Sequence, residues 1–153
     1  MAFNNYNSYE KKKNYNDKPY NKSKPTVEKI EAEVLPGDYV DLAETNMCEL
    51  INERQAPTTS KLRNILSIIM DIYNEENRRK EKTLSKESMA QLQFLRIRML
   101  YEAGREKTVK AFMDKTKALQ YLKGIEDDRE RFLNYCHYIE ALVAYHRFHG
   151  GRD

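Results

Sequence analysis

The sequence predicts an all-α fold: a compact bundle of about five helices behind a disordered N-terminal tail. Three observations predict it. Apolar residues recur three and four positions apart through four consecutive segments between Asp38 and Lys123, the period of helices that bury one face. The stretch Ile125–Gly151 is apolar over most of its girth, so it has neighbours on several sides and reads as the central helix. No strand-like alternation bounded by turns occurs in a chain with only 5 Gly and 4 Pro. A length of 153 residues allows one domain with a substantial core, placed at 35–153, after a tail and linker at 1–34.

The tail, MAFNNYNSYEKKKNYNDKPYNKSKPT, repeats Asn, Tyr, Lys and Ser with almost no aliphatic residues, so burial cannot offset the cost of ordering it. Val27–Leu35 is a charged bridge with room for a helical turn, closed by Pro36-Gly37. Asp38 caps a first helix whose core stripe is Val40, Ala43, Met47, Leu50 and Ile51, ending near Arg54. After Gln55-Ala56-Pro57, Thr58 or Thr59 caps a second helix. Its stripe of Leu62, Ile65, Leu66, Ile69, Ile72 and Tyr73 is the strongest in the chain. Asn74–Thr83 is polar and charged, a mobile loop. Ser85 then caps a third helix, with Leu84 and Met89 placed for a hydrophobic staple. Leu92, Leu95, Met99 and Ala103 form its main stripe, while Phe94, Ile97 and Tyr101 spread apolar surface to a second side.

Gly104 marks a bend before a fourth helix that runs to Gly124. Val109, Phe112, Met113, Thr116 and Leu119 face inward there, and Lys107, Lys110, Asp114, Lys117 and Tyr121 face outward. The fifth helix begins at a capping box of Asp127 and Glu130 and stops at Gly150-Gly151. Phe132, Cys136, Ile139, Leu142, Val143 and His146 form its apolar arc, widened by Tyr135, Tyr138 and Tyr145. Asn134, His137, Glu140 and Arg147 occupy the remaining strip.

Charge narrows the function classes. Residues 1–26 hold six Lys against Glu10 and Asp17, a net +4, and the remainder has 21 basic and 22 acidic residues. The basic excess therefore belongs to the tail, and any nucleic-acid surface on the bundle must come from clustering of charge. The N-terminus is too hydrophilic for a secretory signal, and the longest apolar run, Ile65–Met70, is too short to span a bilayer. Cys48 and Cys136 form no CxxC pair and fit a reducing cytoplasm.

Catalytic and metal constellations are sparse. Of Cys136, His137, His146 and His149, only the last two share a helix face, so no metal site is expected and His146 reads as a hydrogen-bonded core histidine. No phosphate-binding Gly loop, Ser nucleophile motif or paired carboxylates occur. Arg131 and His137, five residues between them, resemble the R-x(4–6)-H signature of HEPN-type ribonucleases. In that alternative His137 is the acid or base and Arg131 stabilises phosphate charge. With 11 Arg in the chain such a spacing arises readily by accident.

Arginine-bearing helix segments carry the stronger signal. SKLRNIL (60–66), FLRIRMLYEAGREKTVKAF (94–112) and YIEALVAYHRFHGG (138–151) together resemble the Csm2 family, the small subunit of type III-A CRISPR Csm effector complexes. The resemblance runs from Asp38 onward, is sharpest in the closing EALVAYH…GG, and does not include the tail. It implies a helical subunit without catalysis or cofactor, stacked in several copies as a minor filament in antiviral and anti-plasmid defence. Its implied partners are copies of itself, other Csm subunits, and the backbone of the guide–target RNA duplex, mainly on the target strand.

The residue chemistry agrees with a backbone binder: aromatics fall mostly on buried arcs, whereas Arg and Lys near helix ends suit phosphates. Lys61 and Arg63 lie on opposite shoulders of the second helix near its start, where they oppose the helix dipole and a bound phosphate would relieve them. With Arg98 and Arg105 they are the leading RNA-binding candidates, followed by Arg96 and Lys110. Arg96, nearer the core side, also has a claim as a snorkelling, paired or subunit-contact residue. A protein-only helical adaptor is the remaining alternative.

Overall fold

The computed structural model describes residues 26–153, so the tail reading for 1–25 lies outside the described residues. Six helices follow an extended lead-in: α1 (Tyr39–Asn52), α2 (Thr59–Glu76), α3 (Lys86–Arg105), α4 (Lys107–Thr116), α5 (Ala118–Gly124) and α6 (Arg129–Phe148). Among the described residues there are no strands, only an isolated backbone bridge between Thr83 and Asp128. The central role expected of the last helix is met. α6 packs against α1, α2 and α5, and Phe132, Tyr135, Cys136, Tyr138, Ile139, Leu142, Val143 and His146 are all buried. His137, Glu140 and Arg147 form its exposed strip.

Local chemistry explains most helix ends. Thr58 accepts from Lys61 N at 3.4 Å, and Ser85 accepts from Ser88 N at 3.1 Å. α1 ends with Arg54 in the left-handed region at φ 57°, one residue past the Glu53 cap. Gly150 takes the same role after α6, at φ 75°. Two expected caps differ. Asp38 starts α1 without a side-chain bond to it. At α6 the cap is Asp128, which accepts from Arg131 N at 3.0 Å, because the Asp127 carbonyl is taken by Leu84 N. Val40, expected in the core, lies in the uncovered first turn of α1 and is 47% exposed.

Two corrections concern where the chain breaks. α3 passes straight through Gly104, and the break falls at Glu106, whose extended backbone (φ −128°, ψ 126°) separates α3 from α4. The expected fourth helix is in fact two. Lys117 sits at φ 52°, ψ 32°, ending α4 and starting α5 in a new phase. That shift turns Tyr121 inward, where it meets Tyr138 edge to face at 5.7 Å instead of sharing the outer lysine face. Carbonyls on either side of the break find partners on α6: Tyr138 donates to Thr116 O at 2.8 Å and Tyr135 to Ala118 O at 2.9 Å.

Val27–Leu35 carries no helix. It runs extended beside α5, with Glu33 N donating to Gln120 O, Lys117 paired to Glu33 at 2.9 Å, and Lys123 donating to Ile30 O at 2.6 Å. Gly124 permits this approach, since a Cβ there would land on the Glu33 carbonyl. Gly124→Ala should lift the segment at a cost of about 1–3 kcal/mol, as overpacking does. Amide exchange at Glu33 should then accelerate while α6 amides keep their protection. Unchanged protection at Glu33 would show that the close approach does not hold the segment.

α2 ends at Glu76, where the helical segment TTSKLRNILSIIMDIYNEE read from the sequence also ends, so the polar stretch from Asn74 begins inside its last turn, and the Glu76 side chain is fully buried. Its carboxylate accepts from Arg79 Nη1 at 2.9 Å and Ser85 N at 3.0 Å, with Arg129 Nε 3.9 Å away. Burial by itself raises its pKa, but the polar groups around it, Ser88, the Ser85 N–H and Arg79, outweigh burial and leave it below the ordinary glutamate value. The α2–α3 connection is thus tied down at its base.

Candidate RNA-backbone interface

The first turn of α2 and the last turn of α3 meet, and their charged residues meet with them. Lys61 Nζ lies 3.4 Å from Glu102 Oε2 and 3.1 Å from Glu106 Oε1. Arg98 Nε and Arg105 Nη1 approach the other oxygen, Glu102 Oε1, at 3.5 and 3.9 Å. Arg105 also places its guanidinium 5.4 Å from the centre of the Tyr101 ring. Helical spacing aligns Arg98, Tyr101, Glu102 and Arg105 on neighbouring turns of α3. Packing of α2 on α3 adds Lys61.

Glu102 keeps 14% of its side-chain surface exposed, whereas Arg98 and Arg105 keep 61% and 58%. The acid is therefore the floor of the cluster and the arginines are its rim. Three cations and two carboxylates give the group a net charge of +1. Lys61 is held more firmly protonated than usual, chiefly by its hydrogen bond to Glu106, against a smaller opposing effect of desolvation. Glu102 and Glu106 also supply negative charge near the α2 N-terminus, so the dipole conflict expected at Lys61 is relieved within the chain.

The other candidates stand apart. Arg63 is exposed on α2 and has no ion pair among the described residues. Arg96 is half-buried in a groove between α3 and α5 with Met89, Gln93, Leu122, Lys123 and Glu126, as its position nearer the core anticipated. Lys110 is paired to Asp114 at 2.8 Å along α4. The carboxylates that organise the cluster were missed at the sequence level, although the Arg98–Glu102 spacing of four was open to inspection. Phe94, Ile97 and Tyr101 are 71%, 62% and 61% exposed, so the second apolar side of α3 faces outward.

The ribonuclease pattern does not converge within the chain. Arg131 donates to Gly124 O at 3.1 Å, while His137 stacks edge to face on Tyr73 and lies 3.7 Å from Glu140. Six residues apart on one helix, the two side chains serve different surroundings. His146 is buried as expected, with Nε2 2.8 Å from Pro57 O; burial lowers its pKa, partly offset by that carbonyl, and keeps the ring neutral. Gly151 lies against the ring, where a Cβ could not fit. Cys136 is a buried free thiol and Cys48 a half-buried one, 3.4 Å from His149. Among the described residues no group of three or more His, Cys, Asp or Glu is placed to hold a metal ion.

The family model for Csm2 of type III-A matches residues 37–152, all six helices and every candidate cation. The chain belongs to the type III-A Csm2 family. Two relatives, both named CRISPR system Cms protein Csm2, agree. The Mycobacterium tuberculosis protein is 38% identical over 128 residues, covering 78% of this chain and 98% of its own length. The Streptococcus thermophilus protein is 38% identical over 119 residues, covering 76% of this chain and 94% of its own length. Csm2 membership makes the chain a small-subunit protein of a type III-A CRISPR system. The Csm2 match leaves out residues 1–36, so the basic tail is additional to the family domain. No helix among the described residues is long and apolar enough to cross a membrane.

Proposed function

We propose that the chain is a non-catalytic small subunit of a cytoplasmic type III-A CRISPR ribonucleoprotein effector. Several copies stack as a minor filament and contact the sugar–phosphate backbone of the guide–target RNA duplex, mainly on the target strand. The observation that carries the RNA assignment is the convergence of Lys61, Arg98 and Arg105 on one exposed cluster inside the family-matched domain. Cations of this kind read charge without sequence, and base pairing with the guide supplies the specificity. Arg63, Arg96 and Lys110 are secondary contacts outside that cluster. The exposed Phe94, Ile97 and Tyr101 stripe favours contacts with other subunits, since an apolar surface of this extent on one helix gains by being covered.

Removing Lys61, Arg63, Arg98 and Arg105 together (each to Ala) should weaken target binding by the assembled complex similarly for every guide. The slope of log affinity against log salt should fall by up to about 0.9 for each phosphate that is no longer neutralised. An unchanged slope in a complex that still assembles would take these residues off the RNA. Failed assembly would move them to subunit contacts, where Arg96 is the other candidate.

A further inference from the structure

Glu102 stands where a phosphate-binding surface ought to avoid an acid. Both of its oxygens are engaged, one by Lys61 and the other by Arg98 and Arg105. Glu106 adds a second carboxylate against Lys61 at 3.1 Å. A phosphate brought to the exposed rim of Arg98 and Arg105 meets three cations and, just behind them, two anions. Attraction to a single copy is therefore small, and it becomes large only when many copies engage one backbone at once.

We propose that Glu102, assisted by Glu106, is a specificity-determining brake on RNA binding. It holds the net charge of each cluster at +1, so RNA touching one or two copies is released while a duplex lying along the whole filament is retained. This rests on the backbone-contact reading above. It extends that reading by giving the carboxylates a role of their own: they discriminate between RNA paired along its length and RNA that is not. Were they only structural, they would affect assembly and stability but not the salt dependence of binding.

The test uses the assembled complex with full-length chain, carrying Glu102→Gln, and two RNAs of equal length, one complementary to the guide and one not. Glutamine preserves the shape but keeps a single acceptor oxygen, so its amide nitrogen faces either Lys61 or the two arginines. It removes one negative charge about 6 Å from a bound phosphate, which in a solvent-like dielectric should raise affinity about threefold per engaged copy at low salt. Binding of the non-complementary RNA should tighten and its salt slope should steepen, so that it is retained at a concentration where the parent complex releases it, while the complementary RNA, which engages more copies, stays bound in both. Glu102→Asp should restore release of the non-complementary RNA. Glu106→Gln, which touches Lys61 alone, should shift binding in the same direction by less, and it decides the matter if Glu102→Gln does not assemble.

Unchanged or weaker binding of the non-complementary RNA would overturn the brake, provided that removing Lys61, Arg98 and Arg105 still lowers the salt slope. If removing those three cations leaves the slope unchanged, the backbone-contact reading fails and the brake fails with it.

Discussion

Glu76→Ala should destabilise the domain by about 3–5 kcal/mol, the range observed when one partner of a buried charged group is deleted. The carboxylate is fully buried and collects Arg79, the Ser85 N–H and Arg129 into one knot. Its loss strands the Ser85 N–H and takes the buried countercharge from Arg79 and Arg129, which keep only their backbone bonds to Thr83 O and Glu76 O and, for Arg79, the exposed Glu81. The knot joins the end of α2, the start of α3 and the start of α6, so its loss should loosen the corner at which these helices meet. Urea unfolding followed by circular dichroism measures the difference. A loss below about 1 kcal/mol would mean that water replaces the carboxylate at little cost.

Acid gives an independent check on the same residue. The folded pKa lies below the ordinary glutamate value of 4.5, so Glu76 is ionised at neutral pH and the unfolded chain protonates first as pH falls. Its charge-dependent stabilisation is complete above the unfolded pKa and is lost as pH falls through the folded one. The gap in stability between the parent chain and Glu76→Gln should therefore be constant near neutrality and narrow below about pH 4.5. A gap that widened in acid would mean that the carboxyl is neutral in the folded state.

Tyr138→Phe should cost about 2–4 kcal/mol, because one hydroxyl serves two buried groups. It donates to Thr116 O at 2.8 Å and accepts from Asn46 Nδ2 at 3.1 Å, joining α1, the α4–α5 break and α6. Burial raises the phenol pKa, against the opposing Asn46 bond, so the hydroxyl keeps its proton and remains a donor. Tyr135→Phe should cost less, since its hydroxyl serves Ala118 O alone. Thermal unfolding of both variants beside the parent chain measures the order. Equal losses would mean that the Asn46 bond contributes nothing.

The helix period, the caps at Thr58 and Ser85, the stop at Gly150 and the buried girth of α6 were all legible in the sequence. Each depends on residues within one or two turns of one another, so spacing suffices. The same holds for the alignment of Arg98 and Arg105, and three short helical segments sufficed for the resemblance to Csm2. The kink at Lys117 was not legible. Ala, Thr and Lys near it suit an unbroken helix, and what stabilises the break is a pair of tyrosine hydroxyls about twenty residues further on.

Val40 was placed in the core because its spacing fits, but spacing does not say where the neighbouring helices end. The burial of Glu76 is not legible in the chain because its partners are assembled only when α2, α3 and α6 meet. The candidate site divides the same way. Its positive charges can be read from the chain, whereas the carboxylate that gathers them reaches Lys61 from 41 positions away in the sequence. Local periodicity determined which faces are apolar and where helices begin. Long-range packing alone decided which charges and hydroxyls face each other, because those pairings depend on distances that no single helix sets.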